Sequence, residues 1–189
     1  MKAGTNSAPK FIQINAIITS WNMSEEVTSS LLAFHAITGS DTTSYLSGHT
    51  KMTAFKRYLD SPELLLHIGR ETLTEETLQR CVLFICNVYN AAQAASADEA
   101  RVILFQKGVD PEKLPPTSDA LKLHIMRAHL QPMIWLKATE PTPIIPQPTE
   151  CGWMNVEGHF KPKLVTVLPV PKSCLDVSEM QLFRELCNT

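Results

Sequence analysis

A basic excess is missing from this sequence: 17 Lys and Arg stand against 19 Asp and Glu, a formal net charge of −2. Free-standing nucleic-acid binders usually carry the opposite balance, so any contact of that kind has to be a local patch. No run approaches the ~20 apolar residues that a membrane helix needs, which predicts a soluble chain without membrane contact. The N-terminal segment Met1–Ser7 has one charge and no apolar stretch, unlike a signal peptide. Cysteine is sparse and irregular. The five residues Cys81, Cys86, Cys151, Cys174 and Cys187 are odd in number and unevenly spaced, which argues against a secreted disulfide framework. A reduced intracellular compartment, nuclear or cytoplasmic, is the expectation. Internal repeats and long charge runs are also lacking. What the chain does have is 189 residues with 44% apolar content, enough for one packed domain plus an appendage.

Phe11–Ile17 alternates apolar and polar residues, the period of a half-buried strand. One strand cannot satisfy its own backbone, and the best partner in sequence is the distant Leu164–Leu168. Helices are predicted between them. Ser24 is placed to cap a helix carrying Glu25 and Glu26 in its first turn, with Met23, Val27, Leu31 and Phe34 on one face and Gly39 at its end. Thr50 is expected to cap Lys51–Leu59, and Ser61-Pro62-Glu63 to open a short helix that Gly69 stops. Thr72 and Glu75 have capping-box spacing, followed by Leu78, Val82, Ile85, Tyr89 and Ala92 on one helical face. Asp98 is expected to open a helix ended by Gly108, and Ser118 to cap one that Pro132 kinks or ends. Pro141, Pro143, Pro146 and Pro148 predict an extended strap, and Cys151–Pro171 a small strand-containing appendage anchored by Trp153.

The segment with chemical potential is Phe34–Ser44, reading FHAITGSDTTS, followed by Gly48–Phe55, reading GHTKMTAF. It combines a helix end, a glycine turn, the carboxylate of Asp41, a hydroxyl cluster, a second glycine turn and a basic helix start. A glycine turn before a helix N-terminus presents free amides that suit a phosphate, and Lys51, Lys56 and Arg57 add positive charge. Asp41 is the type of ligand that holds a hard cation such as Mg²⁺.

This order resembles the flap-endonuclease type of PIN domain. It is similar in particular to a group of uncharacterised, transposon-derived animal proteins with the pattern HA(I/F)TGCDTTSAF, then LPPTSAAL…H…RA, then GW…LP. The matching positions here are Phe34–Ser44, Gly48–Phe55, Leu114–Ser118, His124, Arg127–His129, Trp135, Gly152-Trp153 and Leu168-Pro169. The resemblance implies a metal-binding role for Asp41. It also implies a helix–two-turn–helix clamp on nucleic-acid backbone, built from Gly48, Thr50, Lys51, Lys56 and Arg57. The fold it implies is mainly α: a truncated α/β PIN-like domain with a small strand content and an irregular Pro-rich C-terminal appendage. Residues 1–110 would be the C-terminal half of the PIN-like domain, and 111–189 a helix, the Pro-rich linker and a Trp-anchored tail. The upstream Asp-Thr-Asp strand and the cysteine-rich zinc tail of that group do not occur in this sequence, and Ser40 stands where cysteine is common.

Two-metal phosphodiester cleavage needs several carboxylates around ions ~3.5–4 Å apart. Through residue 60 the acids are Glu25, Glu26, Asp41 and Asp60; the first pair reads as a helix start and Asp60 precedes a Ser-Pro cap. Asp41 therefore has two readings, a turn residue or a vestigial metal ligand. Lys51, Lys56 and Arg57 likewise read either as a solvated helix face or as a phosphate clamp. Three functions follow. One is a non-catalytic nuclease-like remnant touching DNA or RNA backbone, or a protein partner at the exposed strand edge. The others are a metal-dependent nuclease completed by carboxylates from another chain, and a helical protein-interaction module.

Overall fold

The protein is described by a computed structural model covering residues 2–5, 8–11, 13–20, 23–70 and 72–167. It is mainly helical, with two separate two-stranded antiparallel hairpins. The first pairs β1 (Lys2–Thr5) with β2 (Ala8–Phe11), in a register that sets Lys2 opposite Phe11. Next comes α1 (Ile14–Ser20). The strand expected over Phe11–Ile17 is thus incorrect beyond Phe11. The alternation there fits a short helix as well as a strand, and seven-residue windows do not separate the two periods. No strand forms over 164–167 either, and Leu168 lies outside the described residues. The strand edge offered as a partner surface does not extend past Phe11 among the described residues.

The helical body begins with α2 (Glu25–Ile37). Ser24 caps it as expected, its side chain accepting from Val27 N at 3.3 Å, with Glu25 and Glu26 in the first turn. Its buried face is Val27, Ser30, Ala33, Phe34, Ala36 and Ile37. Thr50 caps α3 (Lys51–Asp60) through Thr53 N. Ser61-Pro62 opens only a 3-10 turn, Pro62–Leu65. The following helix, α4 (Glu75–Val88), is capped by Thr74 rather than Thr72, because Thr74 is the residue whose hydroxyl reaches the amide three positions on. It buries Leu78, Cys81, Val82, Phe84, Ile85, Cys86 and Val88.

The caps of the next two helices also shift. Ser96 opens α5 (Ala97–Gln106) and Thr117 opens α6 (Ser118–Leu136), in place of Asp98 and Ser118. The displaced pair instead caps each other's helix. Ser118 N donates to Asp98 Oδ1 at 3.0 Å and Asp98 N donates to Ser118 Oγ at 3.2 Å, so the two N-termini are joined by reciprocal bonds.

Pro132 neither ends nor interrupts α6, which runs on to Leu136. The missing N–H forfeits one helical bond, but the ring is fully buried against Gly69, and that packing keeps the segment helical. α6 lies across α2 and also touches α4 and α5. Leu121, Ile125 and Ala128 belong to the same core as Phe34, Ile37, Tyr58, Leu65, Phe84 and Ile85, so chain on both sides of residue 110 builds one interior. Beyond α6 a Pro-rich strap leads through a 3-10 turn, Pro148–Glu150, to the second hairpin, β3 (Trp153–Val156) with β4 (His159–Pro162). The strands expected in Cys151–Pro171 fall within 153–162.

Candidate functional site

The segment 34–51 surrounds the C-terminal end of α2. A helix end leaves its last carbonyls without intrahelical partners, and burial makes each one costly. Here the motif supplies them. Thr38 Oγ1 donates to Phe34 O at 2.7 Å, and Thr43 Oγ1 donates to Ala36 O at 2.6 Å. From α6, His124 Nε2 donates to Ile37 O at 2.8 Å. Lys51 Nζ reaches Gly39 O at 2.5 Å, His35 Nδ1 at 2.7 Å and His35 O at 3.4 Å. Ser40 closes the turn, its amide donating to Thr43 Oγ1 at 3.0 Å and its hydroxyl standing 2.8 Å from the same atom. Thr42 Oγ1 bonds Gln131 Oε1 of α6. The hydroxyl-rich string is therefore a clasp that finishes α2 and fastens it to α3 and α6.

Asp41 sits on the outside of this turn, exposed. It is close enough to His35 to favour the imidazolium there, but burial and Lys51 outweigh it and hold His35 below its ordinary value. No group of three or more His, Cys, Asp or Glu side chains comes together among the described residues. One exposed carboxylate does not fit a paired Mg²⁺ centre, which needs several oxygen donors around each ion.

The expected phosphate clamp is only partly assembled. Gly48 lies exposed in its turn, with the Lys113 side chain against its Cβ side, 3.3 Å from where a Cβ would stand, and Ser47 Oγ donates to Glu112 O at 2.6 Å. Thr50 is engaged in capping α3. Lys51 is turned back onto α2, as above. Arg57 Nη2 donates to Asn90 Oδ1 at 2.6 Å and stands 3.9 Å from Asp60. Lys56 is exposed on the same helix. All three cations are exposed, and Lys51 is the one whose ammonium is drawn back to His35 and Gly39.

Sequence reasoning missed a polar stripe on the buried helix α6. His124, Arg127 and Gln131 recur at helical spacing, and all three are buried. Each reaches a different neighbour. His124 holds Ile37 and Gln131 holds Thr42. Arg127 Nη1 donates to Gly152 O at 3.0 Å and to Lys163 O at 2.7 Å, fastening the C-terminal segment. Gly152 approaches so closely that an added Cβ would stand 2.6 Å from Leu123 O. The attachment of the tail thus runs through Gly152 and Arg127, with Trp153 half-buried beside them. Trp135 packs on the core and stacks on His35, ring centres 5.5 Å apart. The recurrence of His124, Arg127 and Gln131 at steps of three and four was the signal available in sequence.

Cys81, Cys86 and Cys151 are free, buried thiols, and burial pushes all three up from the ordinary thiol value. This is the pattern of structural rather than reactive cysteine. Cys174 and Cys187 lie outside the described residues. No helix among the described residues is long and apolar enough to cross a membrane.

His124 is held below its ordinary value, chiefly by burial, and His35 and His49 are lowered in the same direction for the same reason. Each is thus neutral in the folded chain at a pH where the unfolded chain begins to take up protons. Their contribution to stability is complete above ~6.5 and is lost as pH falls from there toward the folded values. The urea midpoint is expected to be lower at pH 5.5 than at pH 7.5, and His124→Gln should flatten that dependence. An equal midpoint at both pH values would contradict the assignment.

No protein-family model matches the chain, and no curated protein or solved structure matches it.

Proposed function

We propose that this chain is a non-catalytic, transposon-derived protein of PIN-like ancestry, in which the motif of the nuclease turn serves as a structural clasp. The observation that supports this reading most directly is the engagement of the motif. Thr38 and Thr43 spend their donors on carbonyls of α2 and Lys51 on the turn carbonyl of Gly39, while Asp41 joins no cluster of metal-ligating side chains among the described residues. A turn that once positioned a metal carboxylate can keep its sequence for this reason alone, since losing a hydroxyl would strand a carbonyl at the helix end.

A weak contact with nucleic-acid backbone remains the second reading, carried by the outward placement of Lys56 and Arg57 on α3. With about two phosphates engaged, binding should fall steeply with salt and show no base preference.

The purified chain with Mg²⁺ or Mn²⁺ is expected to leave flap, single-stranded and duplex DNA intact. Metal-dependent cleavage that disappears in Asp41→Ala, and survives in Asp60→Ala, would sink the non-catalytic reading. In a titration at low salt, Lys56→Ala/Arg57→Ala should weaken DNA binding, while Lys51→Met should leave it unchanged and lower the melting temperature. The opposite ranking would restore Lys51 as a phosphate ligand.

A further inference from the structure

The Pro-rich strap that leaves α6 has a backbone fixed largely by its own sequence. Between Glu140 and Pro148 every residue except Ile144 is a proline or precedes one. Proline holds φ near ~−65°, and the residue before it is pushed out of the helical region toward extended backbone. Gln147, at the far end, has φ −67° and ψ 134°. The chain bends at Pro141-Thr142 and then runs to Gln147 without helix or strand. Its second half is held to the body. Lys137 Nζ donates to Ile144 O at 2.6 Å, and Pro146 lines a groove together with Met126 and Met133 of α6.

The first half stands free. Residues 138–144 are all exposed, Ile144 by 84%. Positions 141–146 make no backbone–backbone hydrogen bond among the described residues. Thr142 lies within this half, and its hydroxyl has no hydrogen-bond partner among the described residues. An extended segment with unpaired backbone groups is the form in which a peptide can be laid along a partner's cleft. The bend at Thr142 breaks no such bond when it straightens.

A hydroxyl residue precedes proline at one other place in the sequence, Ser61-Pro62. There the fold locks it. Ser61 ends α3 and opens the 3-10 turn, with φ −151° and ψ 62°. Its amide donates to Tyr58 O at 3.2 Å and its carbonyl accepts from Leu64 N at 3.3 Å. Drawing Ser61 out into extended backbone breaks both bonds and pulls on Leu65, which has no exposed surface. The same dipeptide chemistry is therefore presented once and withheld once.

We propose that Thr142 is a phosphorylation site, modified by a kinase that demands proline directly after the acceptor residue. A pocket with no acceptor for a backbone N–H makes that demand: proline has no N–H to strand there, and any other residue does. In the transfer, Thr142 Oγ1 attacks the γ-phosphorus of ATP. The new O–P bond forms as the bond to ADP breaks, and the hydroxyl proton is released. The product carries a phosphate charge of about −1.5 to −2 on the free half of the strap. This site is independent of the ancestry proposed above and shares none of the residues expected to touch nucleic acid.

The full chain is incubated with Mg²⁺-ATP and a purified mitogen-activated protein kinase, and the phosphate is located by peptide mass mapping. Synthetic peptides of residues 56–66 and 137–147 are the controls. Both peptides should accept phosphate, whereas the folded chain should accept it at Thr142 and not at Ser61. Pro143→Ala should slow transfer to Thr142 about tenfold or more, because it restores an N–H that the pocket leaves unpaired. Thr142→Ala should abolish the modification and leave the urea midpoint unchanged, since the hydroxyl supports no contact. Three results would overturn the proposal: a folded chain left unmodified at Thr142 while the 137–147 peptide is phosphorylated, a 137–147 peptide that is itself refused, or Ser61 modified in the folded chain as fast as Thr142. The last would mean that the fold does not select between the two.

Discussion

Gly69→Ala should lower folding stability by about 2–5 kcal/mol, the sum of a left-handed backbone strain of ~1–2 and an overpacking term of ~1–3. Gly69 is buried with φ +79°, and an added Cβ would stand 2.4 Å from Pro132 Cβ. Neither partner can yield. Pro132 is fully buried inside α6, and the Gly69 amide donates to His129 Nδ1 at 3.1 Å, which fixes the height at which the loop crosses the helix. Gly108 is the control, with the same φ of +79° and nothing within 4 Å of its Cβ position. Gly108→Ala should cost only the backbone strain, about 1–2 kcal/mol. Urea denaturation of the two variants separates clash from strain. Equal losses would mean that the Gly69–Pro132 approach is relaxed in solution.

Tyr58→Ala should cost about 3–5 kcal/mol, a large part of the ~5–15 kcal/mol that domains of this size possess. The side chain has no exposed surface, and its ring stacks on Phe34 with centres 4.8 Å apart and lies 5.8 Å from Phe55. Its hydroxyl donates to Val27 O in the first turn of α2 and lies 2.8 Å from Ser30 Oγ. The ring and the hydroxyl can be separated by a second variant. Tyr58→Phe keeps the aromatic stack and removes the hydroxyl contacts with Val27 O and Ser30 Oγ, for which about 1–2 kcal/mol is expected. Should the two variants lose the same amount, the polar contact rather than the packing would be what holds α3 on α2. Both variants are read from the urea midpoint at constant slope, so that a change in the unfolded state is not mistaken for a contact.

The caps of α2 and α3 were legible because a cap is a local event: a hydroxyl at Ser24 or Thr50 meets an amide three residues on. The starts of α4, α5 and α6 were placed one or two residues off. Asp98 and Ser118 are good caps by type, and they do cap, but each caps the other's helix, a pairing that sequence spacing does not reveal. The strand expected over Phe11–Ile17 failed because a short alternating run carries little periodic information. The end expected at Pro132 failed because burial against Gly69 outweighs one missing backbone bond.

The candidate site divides along the same line. The sequence by itself determined the mainly helical class, the end of α2 near Gly39 and the concentration of hydroxyls after it, because these depend on residue type and neighbours within a few positions. Only the tertiary structure decided what those groups do. Lys51 reads as a phosphate ligand beside Gly48, yet its charge is directed to carbonyls at His35 and Gly39, brought to it by the turn. His124 and Arg127 are ordinary residues of a helix and Tyr89 an ordinary C-cap until folding buries all three. A backbone carbonyl, a buried cation and an unbonded hydroxyl acquire their cost only when water is removed. Which groups lose water is set by contacts between segments far apart in the chain.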